Sequence, residues 1–109
     1  LSRRQRQMCI RDSNMYSAKN LQNMAVIVDA NHSNSNKQYL EQVRICNEVL
    51  HSMRHSAEIK LFVKGFMIES YIEDGCQKIE EGVYGKSITD PCLGWEKSKE
   101  LIYSIADQL

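Results

Sequence analysis

With 109 residues, 42% of them hydrophobic and 26% charged, the sequence has room for one small domain or part of a larger one, and its composition excludes a fibre or a disordered tail. Fourteen basic and fourteen acidic side chains cancel to a formal charge of zero, so no global field recruits nucleic acid or an anionic membrane. The longest apolar run, Met24 to Val28, is too short to span a bilayer and no signal-peptide core precedes it, which predicts a cytoplasmic protein.

Leu1 to Ser13 carries Arg3, Arg4, Arg6 and Arg11 with scarcely any apolar periodicity. A basic arm for nucleic acid is one reading. The stronger one is a non-native segment, because the stretch resembles a translated sequencing adapter, and it is set aside from fold reasoning. Residues 14–23 read as a linker or the end of a preceding helix, and residues 24–109 as the structural unit.

Met24 to Ala30 is apolar apart from Asp29, the pattern of a parallel strand covered on both faces. A helix over roughly Lys37 to Arg54 follows: Leu40, Val43, Cys46, Leu50 and Met53 recur at helical spacing, with Glu41, Gln42, Arg44 and Glu48 largely on the opposite side. Ser35 with Gln38 three positions later has the form of a capping box. Ile59 to Ile68 repeats the strand signature, its centre from Leu61, and Gly65 within it reads as a close-packing point. A long connection from Ser70 to Asp90 has Gly75, Gly82 and Gly85 as turn points, and such connections are usually functional or disordered. Lys97 to Leu109 then sets Leu101, Ile102, Ile105 and Leu109 on one helical face. The predicted order is βαβα, with the two strands parallel.

Parallel neighbours open their carboxyl ends on one side of the sheet, which brings His32 and Glu69 towards a common point, with Asp90 returning on the long loop. One imidazole and two carboxylates suit a divalent cation such as Mn²⁺, Fe²⁺, Co²⁺ or Zn²⁺. From spacing alone a solvated, hydrogen-bonded surface fits the same three residues better. Cys9, Cys46, Cys76 and Cys92 show no CxxC spacing and read as reduced thiols. Lys37 and Lys86 are candidates for phosphate contact but fit solvated or loop-orienting roles better. Trp95 reads as a packing anchor beneath the loop, and Asn31, Asn34 and Asn36 as loop hydrogen-bonders.

The segments Asp29-Ala-Asn-His32-Ser-Asn-Ser-Asn-Lys37-Gln38, Gly65-Phe-Met-Ile-Glu69-Ser70 and Tyr84-Gly-Lys-Ser-Ile-Thr-Asp90-Pro-Cys-Leu-Gly-Trp95-Glu96 resemble, in order and spacing, the last part of class I 3-deoxy-7-phosphoheptulonate (DAHP) synthases. The resemblance implies an α/β fold in which residues 24–109 are the last two βα units of a (β/α)₈ TIM barrel, incomplete by themselves. It implies a metal-dependent, aldol-type transferase joining phosphoenolpyruvate and erythrose 4-phosphate at the entry to aromatic amino-acid biosynthesis, the complete enzyme being a homo-oligomer. His32, Glu69 and Asp90 fall on three of that family's metal ligands, and Cys92 on a position close to the metal. The fourth ligand, a cysteine in a Gly-Pro-Cys setting, is not in this sequence, and the family's phosphate-binding arginines and lysines lie on earlier strands. The rival reading is a small non-enzymatic metal- or anion-binding α/β module.

Overall fold

Val26, Ile27 and Val28 are all β-branched, which suits extended backbone, and strand β1 covers Val26–Asp29. The structure, a computed structural model, describes residues 23–35 and 38–109. Strand β2, Val63–Met67, lies parallel to β1, with Ile27 opposite Gly65, Val28 opposite Phe66 and Asp29 opposite Met67. Both carboxyl ends therefore emerge at the same edge, where the Ala30 N–H extends the pairing to the Met67 carbonyl at 2.9 Å. The parallel arrangement matches expectation. The arginine-rich segment, the linker up to residue 22, Cys9, Asn36 and Lys37 lie outside the described residues.

Parallel strands need a crossover, here built from helices α1 (His32–Ser35), α2 (Glu41–His55) and α3 (Ala57–Phe62). Along α2 the buried stripe is Gln42, Ile45, Cys46, Val49 and Leu50, a helical repeat. Two expectations fail there. Leu40 precedes the helix and is 53% exposed, whereas Gln42, read as facing away from the apolar side, is fully buried. Nor does a capping box form: Leu40 is the N-cap without a side-chain bond, and the Ser35 hydroxyl donates instead to the Asn31 carbonyl.

Residues 59 to 62 are helical, not extended as their β-branched and aromatic content predicts. Ser56 interrupts α2 with extended backbone, and its hydroxyl accepts the Ile59 N–H at 3.3 Å, the cap that starts a new helix. Ile59 and Phe62, three positions apart, then share the buried face of α3. Capping and burial together override local β preference. Helix α3 passes straight into β2, since the helix cap Val63 is also the first strand residue.

The core comprises Ala30, Ile45, Cys46, Val49, Ile59, Val63, Leu93 and Leu101, with Val28, Phe66 and Ile68 packed against it. Each large aliphatic side chain fully buried there contributes about 1.5–3 kcal/mol, and burial pushes the Cys46 thiol up to about 12. The other sheet face is bare among the described residues, with Ile27 64% and Met67 53% exposed. Cover on both faces, expected from the apolar run, is thus found on one. Gly65 is no close-packing point: a Cβ there would meet Ile27 Cγ1 at an ordinary 4.0 Å.

Helix α4 spans Trp95–Gln108 and buries Leu101, with Ile105 half-buried; Ile102 and Leu109 stay exposed on the lip of an apolar groove shared with Met53, Val63 and Phe66. Among the described residues no helix is long and apolar enough to cross a membrane.

The connection from Ser70 to Asp90 is ordered by its own backbone bonds. Gly75 and Cys92 exchange N–H···O bonds at 2.8 and 3.0 Å, Glu73 N–H reaches the Gly85 carbonyl, and Gln77 N–H the Ser87 carbonyl. Gly85, at φ 76°, also has no room for a side chain, because a Cβ would stand 2.9 Å from Ile72 Cβ. Asp74 ties this loop to α4, accepting the Gly94 N–H at 2.7 Å and the Lys97 ammonium. The Lys97 hydrogen bond, aided by Gly94 and opposed by burial, holds the Asp74 carboxyl below its ordinary 3.8. A depressed carboxyl stabilises the fold above its unfolded pKa, and that stabilisation is lost as pH falls through the folded value. Asp74→Ala should therefore cost about 1–2 kcal/mol near neutral pH, reduced by the partial exposure of the pair. Urea unfolding of both chains across the acid range checks this: the gap should close well below 3.8, and a gap that persists in acid rules out the ionic contribution.

Candidate metal centre

At the end of β1 the chain turns into α1, and the turn is held by Asp29, whose Oδ1 accepts the Asn31 N–H at 2.9 Å. Its other oxygen lies 2.7 Å from His32 Nδ1. An ionised carboxylate only accepts, so the imidazole proton sits on Nδ1 and Nε2 presents its lone pair outward. Nε2 faces Glu69 Oε2 at 3.6 Å and Asp90 Oδ2 at 3.7 Å, both beyond hydrogen-bond reach. One ligand atom from each residue lies within 4.8 Å of the others.

Ligand atoms about 2.0–2.2 Å from a shared ion stand roughly 3–4 Å from one another, so this convergence has the dimensions of a cation site. One imidazole nitrogen and two carboxylate oxygens form a borderline-to-hard donor set, which fits a divalent first-row cation. The Asp29 hydrogen bond and charge, opposed by slight burial and aided by Glu69 and Asp90, raise His32 above the ordinary imidazole range. Burial acts to raise Asp29, but bonds from Asn31 N–H and the His32 ring outweigh it and hold the carboxyl low. A carboxylate behind a ligating histidine fixes the ring and increases its basicity.

Glu69 stands two residues beyond β2. The Asn31 side-chain amide donates to its Oε2, and Asn31, fully buried, is anchored by Ser35. The Glu69 backbone is gripped as well: its N–H donates to Gln42 Oε1 at 2.8 Å, and its carbonyl accepts from Gln42 Nε2 and from Leu93 N–H, each at 2.9 Å. The Leu93 bond closes the long loop and returns Asp90 to the site.

A profile of the DAHP synthetase I family matches residues 10–102. The chain belongs to the DAHP synthetase I family. It is 43% identical over 85 residues to the Trp-sensitive phospho-2-dehydro-3-deoxyheptonate aldolase of Enterobacter agglomerans, a match covering 75% of this chain and 24% of that protein. With the phospho-2-dehydro-3-deoxyheptonate aldolase of Haemophilus influenzae the figures are 39% over 85 residues, 75% and 23%. A solved structure of the Francisella tularensis enzyme of the same name superposes with a TM-score of 0.68 at 29% identity, over 77% of this chain and 24% of that one. The chain thus spans about a quarter of the length of these DAHP synthetase relatives.

The three residues singled out from the sequence are brought together; other candidates are placed less centrally. Cys92 is buried, and its thiol donates to the Asp90 carbonyl at 3.3 Å. Burial raises its pKa, opposed by Ser87 and reinforced by the Glu69 and Asp90 charges. Lys86 offers its backbone carbonyl to Gln77 within the loop. Trp95 is 60% exposed at the start of α4, so it is not the buried anchor its uniqueness suggests. Asp29 and Gln42 were missed. Asp29 breaks an apolar strand three residues before a histidine, and Gln42 lies on the buried stripe at i−3 and i−4 from Ile45 and Cys46.

Proposed function

We propose that this chain supplies the metal-ligating part of an enzyme condensing phosphoenolpyruvate with erythrose 4-phosphate to DAHP and inorganic phosphate, the first step of aromatic amino-acid biosynthesis. The convergence of His32, Glu69 and Asp90 at the mouth of a parallel strand pair carries the proposal. Family membership supports it. Residues 24–109 would form the last two βα units of a (β/α)₈ barrel, in a homo-oligomeric cytoplasmic enzyme whose described cysteines, Cys46, Cys76 and Cys92, are free thiols.

His32, Glu69 and Asp90 would hold a divalent cation, which acts as a Lewis acid on a carbonyl oxygen. Asp29 keeps the His32 proton on Nδ1, and Asn31 orients the Glu69 carboxylate towards the same point. The resemblance assigns a cysteine ligand and the phosphate-binding cations to strands earlier in the family's chain.

The test is a chimera in which residues 24–109 replace the corresponding quarter of the Enterobacter agglomerans relative. Phosphate release that requires both substrates, stops with chelator and returns with Mn²⁺ is the expected result. A soluble chimera with the parent's assembly state and circular dichroism that releases no phosphate overturns the assignment.

A further inference from the structure

Gln42 is a neutral amide, fully buried, on the apolar side of α2. Burying an amide in such a place is unfavourable unless its donor and acceptor are both satisfied. Here both are, and by one residue: Oε1 accepts from Glu69 N–H at 2.8 Å while Nε2 donates to the Glu69 carbonyl at 2.9 Å. The side-chain amide pairs with Glu69 as a neighbouring strand's peptide group would. It does so two residues past Met67, where β2 has already left the ladder.

We propose that Gln42 is a positioning residue for Glu69, setting from helix α2 the backbone from which the carboxylate reaches the cation. The proposal rests on the metal reading above. It accounts for a polar amide at a position where an aliphatic side chain would continue the stripe of Ile45, Cys46 and Val49 but leave Glu69 N–H without its acceptor. Without Gln42, Glu69 loses its N–H acceptor and one of two carbonyl donors, leaving Leu93 N–H and the Asn31 side chain to hold it. The carboxylate would then sample orientations away from His32 Nε2 and Asp90.

The experiment measures Mn²⁺ affinity of the full chain by the loss of the free-ion electron paramagnetic resonance signal, alongside amide hydrogen exchange. Gln42→Met keeps length and apolar packing but removes both bonds. It should weaken Mn²⁺ binding by about 10- to 100-fold, the range for groups that orient metal ligands, and speed exchange at the Glu69 amide while amides within β1, β2 and α2 stay protected. Gln42→Glu, which keeps the volume and the acceptor for Glu69 N–H, should retain that amide's protection and lose less affinity; Gln42→Leu, which also removes both bonds, carries the test by the same readings if the methionine variant does not fold. A folded variant with its Glu69 amide released and Mn²⁺ affinity unchanged overturns the proposal, leaving Gln42 a purely structural group. His32→Ala separates the two readings: wild-type Mn²⁺ uptake indifferent to that change removes the metal site itself, whereas uptake that needs His32 but ignores Gln42 removes only the positioning role.

Discussion

Given Mn²⁺, phosphoenolpyruvate and erythrose 4-phosphate, the 109-residue chain alone is expected to release no phosphate above the no-protein control. Two independent deficits lead to this. The first is chemical: the described site brings three ligand side chains to one point, and the resemblance places the fourth ligand and the phosphate-binding cations on earlier strands of the family's chain. The described arginines do not offset it, because Arg44 is paired with Glu41 and Glu48 and Arg54 bonds Gln108. The second is structural. Two strands form the described sheet, and Ile27 and Met67 look out from its bare face, so association through that face or through strand edges is favoured. Association orders the chain without adding phosphate anchors, so it should not restore turnover. Steady phosphate release, with light scattering reporting a cooperatively folded monomer, would show a complete small enzyme.

His32→Ala is expected to abolish the Mn²⁺ site. The imidazole is the one nitrogen donor of the set, and its Nε2 is the point both carboxylates face. Its loss should exceed the roughly 10- to 100-fold cost of removing an orienting group, while Asp29→Asn, which weakens the hold on Nδ1 but keeps the ligand, should fall within that range. Isothermal titration with Mn²⁺ orders the three proteins. Equal affinity in wild type and His32→Ala would mean that carboxylates alone attract the ion and that the histidine is a bystander.

The strand pair and its polarity were legible because two apolar runs ended near chemistry-bearing residues, and the helix between them because apolar spacing is a robust signal. Helix α3 was not legible: Ile59 and Phe62 carry strand preference, and what overrides it is one serine hydroxyl acting with a buried face that only the folded chain defines. His32, Glu69 and Asp90 were visible as side chains able to bind. The residues that aim them were harder to see. Asp29 read as an interruption, although a carboxylate three residues before a histidine at a strand end is a recoverable cue. Gln42 was assigned by polarity rather than by position, and its place on the helical stripe was the better guide. Trp95, expected as a packing anchor beneath the loop, is instead exposed at the start of α4.

The direct passage from α3 into β2 bears on how such a chain tolerates changes in length. With Val63 serving as both helix cap and first strand residue, no slack separates the crossover from the ladder. One residue inserted or deleted there would rotate α3 by about 100° relative to the sheet or slide β2 by one position, turning Phe66 to the bare face and carrying Glu69 away from Gln42. The tip around Gly82 lies in open space, with nothing within 4 Å of a side chain there, although its φ of 64° favours glycine. A change in length anywhere between Ser56 and Glu69 would therefore be felt at the site itself.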